Sequence, residues 1–284
     1  MNNLYSDYDK GYDKDLIIIK DLLFYNSNLN NGIRENILIK LIKLNPEAKV
    51  IRSSRNNLVE WNIDPTIFEN SKIESLQIVS NGIEKISSEL PHRLIKFYCI
   101  DNKLKKLDNL PDGLIYLNCS KNKIVELNNL PIALEVLVAN YNNLVRLDFL
   151  PFGLKILECY NNLLTRLDDL PSSLEELYCY SNQIETIGCL PNKLKILYCQ
   201  NNKLKCLANI PDSIKELYCD NNKLSKIDIS NTKIIKFKCS NNNIEEIGIV
   251  PDTIKYFDCS YNPLNKKPSI QNTCCIIRWC GCNF

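Results

Sequence analysis

Leu170-Pro171-Ser172-Ser173-Leu174-Glu175-Glu176-Leu177-Tyr178-Cys179-Tyr180-Ser181-Asn182-Gln183-Ile184-Glu185-Thr186-Ile187-Gly188-Cys189 is one period of a unit that recurs, at constant length, through most of the chain. Asparagine marks the beat without a slip at Asn102, Asn122, Asn142, Asn162, Asn182, Asn202, Asn222, Asn242 and Asn262. Apolar columns run beside it. One passes from Leu94 through Leu174 to Ile254, and a second from Phe97 through Leu177 to Phe257. A third holds Cys99, Cys119, Ala139, Cys159, Cys179, Cys199, Cys219, Cys239 and Cys259, and a fourth passes from Leu104 to Leu264. Each unit reads L-P-x-x-L-x-x-L-x-C-x-x-N-x-L-x-x-L-x-x. Only a solenoid needs one unit stacked many times, because each turn buries its apolar side chains against its neighbours.

The last half of L-x-x-L-x-C alternates inward and outward, as a strand requires. One strand per turn, each beside the next, gives a parallel sheet with about 4.8 Å between strands. So short a unit cannot hold a strand and a full helix, and the return arm must be extended or a single helical turn. Proline at its start suits a polyproline-like backbone.

These motifs resemble the leucine-rich repeat, whose core is L-x-x-L-x-L-x-x-N/C-x-L. The short unit and its Leu-Pro opening are similar to the bacterial-type repeat of secreted effectors and to arrays in large amoeba-infecting DNA viruses. The resemblance covers about residues 50 to 264. It implies a horseshoe with a parallel β-sheet on the concave face and short extended or 3-10 return arms. Some effectors of this type carry a downstream ubiquitin-ligase domain. Only a short tail follows the last unit here, so that activity is not expected.

Two irregular units precede the regular run. Leu76, Ile78, Asn81, Ile83 and Ile86 match Phe97, Cys99, Asn102, Leu104 and Leu107, and Ile51, Ser53, Asn56, Leu58 and Trp61 match them less well. Ser230-Asn231 replaces Leu-Pro in one unit and implies a locally different arm. Residues 1–48 do not repeat. Ile33, Ile37, Leu38, Leu41, Ile42 and Leu44 have amphipathic helical spacing, ended by Asn45-Pro46, and Leu16 to Tyr25 reads as another candidate helix. The expected organisation is a helical N-terminal cap over 1–48, a solenoid of about eleven repeats over 49–265, and a Cys-rich C-terminal cap or tail over 266–284.

With 35 Lys+Arg against 33 Asp+Glu, the net charge of +2 offers no field for nucleic acid or an anionic membrane. No signal peptide or membrane-length apolar run is visible, so the expectation is a cytoplasmic chain, or one in the host cytoplasm if viral. No Gly-rich phosphate loop, H-E-x-x-H or G-x-S-x-G motif occurs, and the single histidine, His92, stands beside Pro91. The chain reads as non-enzymatic, with no cofactor and no metal.

The cysteine column accepts Ala139, so its slot asks for a small apolar side chain, and linear spacing does not converge on a metal. The asparagine amide can satisfy backbone groups at each corner. Cys274, Cys275, Cys280 and Cys282 leave three readings open for the tail: a capping strand, a small metal site, or palmitoylation.

Register identifies the outward strand positions, and ten of the fourteen tyrosines fall on or beside them. The candidate protein-binding residues are Tyr98, Tyr116, Glu158, Tyr160, Glu176, Tyr178, Tyr180, Tyr198, Glu216, Tyr218 and Asp220. Tyrosine offers rigid contact area with a polar tip, and the interspersed acids suit a basic segment of a partner protein. The expected function is protein–protein interaction on this face, without nucleic acid or membrane. The alternative is a structural or particle-associated repeat protein.

Overall fold

The computed structural model describes residues 16–20, 39–55, 59–270 and 276–282. Among the described residues, thirteen strands form one parallel sheet in chain order, from Leu16–Lys20 and Val50–Ser54 through to Tyr256–Asp258 and Ile276–Arg278. The strands from Lys96–Tyr98 to Tyr256–Asp258 are short, and each pairs with the equivalent strand of the next turn, as in Leu177 opposite Leu197. Both irregular units join in the register expected of them, with Ile51 opposite Leu76 and Leu76 opposite Phe97. Asn56 and Leu58 lie outside the described residues.

The Leu, Ile, Phe and Cys columns merge into one continuous core. The eight cysteines of the inward column, from Cys99 to Cys259, are fully buried in line with Ala139. The return arm opens on a tight turn at each proline, with Leu94 N–H donating to Pro91 O at 3.0 Å and the equivalent bond in later turns. Arms also pair locally, as Arg166–Leu167 does with Thr186–Ile187. At the Ser230 break, Ser230 N–H and Oγ donate to Asp228 Oδ1 at 2.9 and 2.7 Å, an Asx turn that replaces proline while Ile229 stays buried.

Asparagine joins the turns. Asn182 Nδ2 donates to Cys159 O of the preceding turn at 3.0 Å and to Cys179 O of its own at 3.1 Å. Its Oδ1 accepts Leu164 N–H at 3.1 Å. The pattern recurs from Asn122 to Asn262. One residue before each asparagine the backbone turns left-handed, at Asp101, Lys121, Tyr141, Asn161, Ser181, Asn201, Asn221, Asn241 and Tyr261, with φ between 53° and 57°. None of these is glycine, so the interturn bonds hold a conformation that L residues ordinarily avoid.

One expectation fails at the N-terminus. Leu16–Lys20 is a strand paired with Val50–Ser54, where the sequence suggested a helix from Leu16 to Tyr25. The isoleucine-rich run extends the sheet by one strand, and pairing with a distant segment overrides local spacing. Residues 39–44 are helical, with Ile42 in the core; Ile33, Ile37 and Leu38 lie outside the described residues. At the other end Ile276–Arg278 pairs with Tyr256–Asp258, and Ile277, Trp279 and Cys282 pack on the core. Cys274, Cys275 and Phe284 lie outside the described residues.

Candidate protein-interaction face

Strand pairing sets like positions side by side, so tyrosines at equivalent positions of consecutive turns become neighbours. Tyr178, Tyr198 and Tyr218 lie opposite one another. The rings of Tyr198 and Tyr218 stack at 4.3 Å and 4°, and Tyr178 meets Tyr198 edge-on at 5.2 Å. A second column lies past the cysteines. Tyr160 stacks on Tyr180 at 4.3 Å and 8°, and Tyr141 meets Tyr160 edge-on at 5.5 Å. Such pairs add about 0.5–1.5 kcal/mol each beyond the area they bury, so each ring is favoured against its neighbour.

The acids are tied to the tyrosines. Tyr178 Oη donates to Glu176 Oε2 at 2.7 Å, and Tyr198 Oη donates to Glu216 Oε2 at 2.6 Å. Burial and these hydrogen bonds hold the Tyr178 and Tyr198 hydroxyls well above the ordinary phenol range, so both remain donors at neutral pH. Burial, helped by Tyr98, pushes Tyr116 up to about 12.

Glu158 is only 9% exposed, with Oε2 accepting from Asn140 Nδ2 at 2.8 Å. Asn140 Oδ1 in turn accepts Tyr160 N–H at 3.1 Å. Burial raises the Glu158 carboxyl, with Glu176 adding to the effect and the Asn140 bond only partly opposing it. Burial likewise raises Asp220. At Glu216 burial is outweighed by hydrogen bonds from Lys236 and Tyr198, and the carboxyl is lowered.

The proposed site residues therefore form two groups. Tyr160, Tyr180, Tyr178, Tyr198, Tyr218, Glu158, Glu176, Glu216 and Asp220 share one stretch of sheet. Tyr98 and Tyr116 pair at 4.9 Å but are separated from it by Val136, Val138 and Ile156. The face is also less uniformly acidic than its residue types suggest. Lys236 Nζ reaches Glu216 Oε1 at 2.8 Å, and Lys238 Nζ sits 4.6 Å from the Tyr218 ring centre. Lysines that read as edge residues in sequence thus cover the C-terminal end of the stripe, while Glu158 and Glu176 lie at its N-terminal end. Asn140 and Lys238 were missed as members of the site; both lie at outward positions, the signal that selected the tyrosines.

Interior thiols offer little chemistry. Burial pushes Cys119 up to about 12 and raises Cys179, Cys199 and Cys219 further. Among the described residues no group of three or more His, Cys, Asp or Glu side chains is placed to hold a metal ion. Nor is any helix among them long and apolar enough to cross a membrane.

Solved structures share this architecture. YopM from Yersinia enterocolitica superposes with a TM-score of 0.76 at 27% identity, over 82% of this chain and 51% of that one. The chain has a leucine-rich-repeat fold. The leucine-rich-repeat domain of APL1 matches at a TM-score of 0.63 and 24% identity, over 80% of this chain and 65% of that one. The functional domain of InlJ from Listeria monocytogenes, which includes a cysteine ladder, matches at 0.59 and 20%, over 85% and 55%. This leucine-rich-repeat chain spans about half the length of the YopM structure. No protein-family model and no curated protein matched its sequence.

Proposed function

We propose that this leucine-rich-repeat chain is a non-enzymatic recognition module that binds a partner protein across its tyrosine-bearing sheet face, acting in the cytoplasm. The observation that carries the reading is the pair of stacked tyrosine columns with hydroxyls anchored on Glu176 and Glu216. Stacking favours their arrangement before binding, so less side-chain entropy is lost on contact. A basic segment of the partner meets Glu176, beside the nearly buried Glu158. The end covered by Lys236 and Lys238 suits polar or acidic residues of the same partner. Among structures of this fold, LRIM1 and APL1C form a complex with one another.

The test is the double variant Tyr178→Ala with Tyr198→Ala, used as bait in quantitative affinity mass spectrometry beside the intact chain. The expected result is loss of captured partner by tenfold or more, with a cooperative thermal transition retained. Unchanged capture with a lowered melting temperature would make the stripe a purely structural device and sink the proposal.

A further inference from the structure

The return arms carry a second feature, independent of the tyrosine face. Phe149 is 94% exposed, Phe152 85% and Ile132 75%. Ile132 and Phe152 occupy the same position of consecutive turns, just after Pro131 and Pro151, and Phe149 lies on the arm entry just before Pro151. Ile132 thus stands on one arm, and Phe149 and Phe152 on the arm of the next turn. Exposed phenylalanines are costly to keep in water, at about 25 cal/mol per Å² of apolar surface, and large apolar side chains gathered on neighbouring arms point to an interaction surface.

The array itself shows that the arm does not require these side chains. The position of Phe149 is filled by Asn109, Asn129, Asp169 and Asn209 in other turns, all left-handed like Phe149, which has φ 57°. Asparagine and aspartate tolerate that conformation; a bulky aromatic there is strained. The position of Ile132 and Phe152 is Asp112, Ser172, Asn192 and Asp212 elsewhere. The backbone beneath these side chains is pinned, because Ser173 Oγ lies 2.6 Å from both Phe152 O and Leu154 O and donates its one proton to either. A strained, water-exposed aromatic on a fixed backbone contributes nothing to the turn that holds it.

We propose that Ile132, Phe149 and Phe152 form a second docking surface, which takes an apolar protein segment flanked by basic residues. Charge chooses that partner. At the same two arm positions in the adjoining turns stand the exposed acids Asp112 and Asp169, one on each side of the cluster. Nearby arginines are engaged, Arg146 with Glu126 and Asp148 and Arg166 with Asp168. An acidic rim repels an anionic bilayer and disfavours a second copy carrying the same rim, while it attracts lysine or arginine beside the apolar anchors.

A phage-displayed random peptide library, selected on the intact chain, supplies the probe. Expected binders carry aromatic or aliphatic anchors with Lys or Arg beside them. They lose at least tenfold in affinity on the Phe149→Asn, Phe152→Ser double variant and severalfold on Asp112→Asn with Asp169→Asn. They keep their affinity on Tyr178→Ala with Tyr198→Ala. Both arm variants place side chains that other turns already use, so they should melt no lower than the parent. The proposal is overturned if no selected peptide depends on the phenylalanines, or if the dependent peptides lack basic residues. It is also overturned by concentration-dependent dimers in sedimentation, or by flotation with phosphatidylserine vesicles, when the phenylalanine variant abolishes either.

Discussion

The turns spanning residues 115–163 and those spanning 164–248 have the same interior and different exteriors. In both, the leucine, cysteine-or-alanine and asparagine columns are buried or nearly so, and the interturn bonds repeat closely in length. Outside, the first region displays Ile115, Val125, Ile132, Val145, Phe149 and Phe152, while no large apolar side chain described in the second is exposed. The second carries the Tyr178, Tyr198 and Tyr218 column on its sheet, and the Tyr160–Tyr180 stack joins the two regions. Stacking constrains only side chains that point between turns. Outward positions are free to diverge, and each region has used that freedom on a different surface.

The comparison can be broken first through the interior. Asn142→Ala and Asn182→Ala each orphan one backbone N–H and two carbonyls, at about 1–3 kcal/mol per buried unsatisfied group before relaxation. Urea unfolding should show two losses that agree within about 0.5 kcal/mol. A large disparity would mean that the interiors differ after all.

Next comes a reciprocal exchange at the left-handed arm position. Phe149→Asn should stabilise by about 1 kcal/mol and Asn209→Phe destabilise by about as much, since a bulky L residue is strained there. Thermal melts read both signs. A neutral Phe149→Asn would show that packing of the ring offsets the strain.

The smallest effect concerns Glu158, on the sheet where the two regions meet. Its folded carboxyl lies above the ordinary value of 4.5 because burial, with Glu176, disfavours the charge. Its contribution to stability is therefore complete below the ordinary value and declines as pH rises through the folded value. Glu158→Gln, which can still accept from Asn140, should gain on the parent between pH 4 and pH 8. A difference that stays flat across that range would show a carboxylate solvated as freely as in the unfolded chain.

The fold was legible because its signal is redundant: an error in reading one unit is corrected by the others. Where a segment occurs once, that correction is missing. Leu16–Lys20 read as a helix, and only its pairing with Val50–Ser54 makes it a strand. For the candidate site, register named the outward tyrosines but not their rotamers. The Tyr198–Glu216 bond and the Lys238–Tyr218 contact cross between strands, and no spacing rule encodes which way an outward side chain leans. Phe149 and Phe152 went unnoticed in the sequence, although they depart from Asn, Asp and Ser in their columns. On the arms the inward pattern fixes residues such as Leu147 and Leu150 and leaves the outward positions unspecified.

Each asparagine side chain secures its own turn and the turn before it. The array therefore has a direction, like a zip fastener. Removing a turn from the C-terminal end strips a clamp from the turn left behind. Removing one from the N-terminal end leaves every remaining turn with the clamp supplied from downstream. The two ends are unequal in what they can lose, and during synthesis each turn is completed only when its successor arrives.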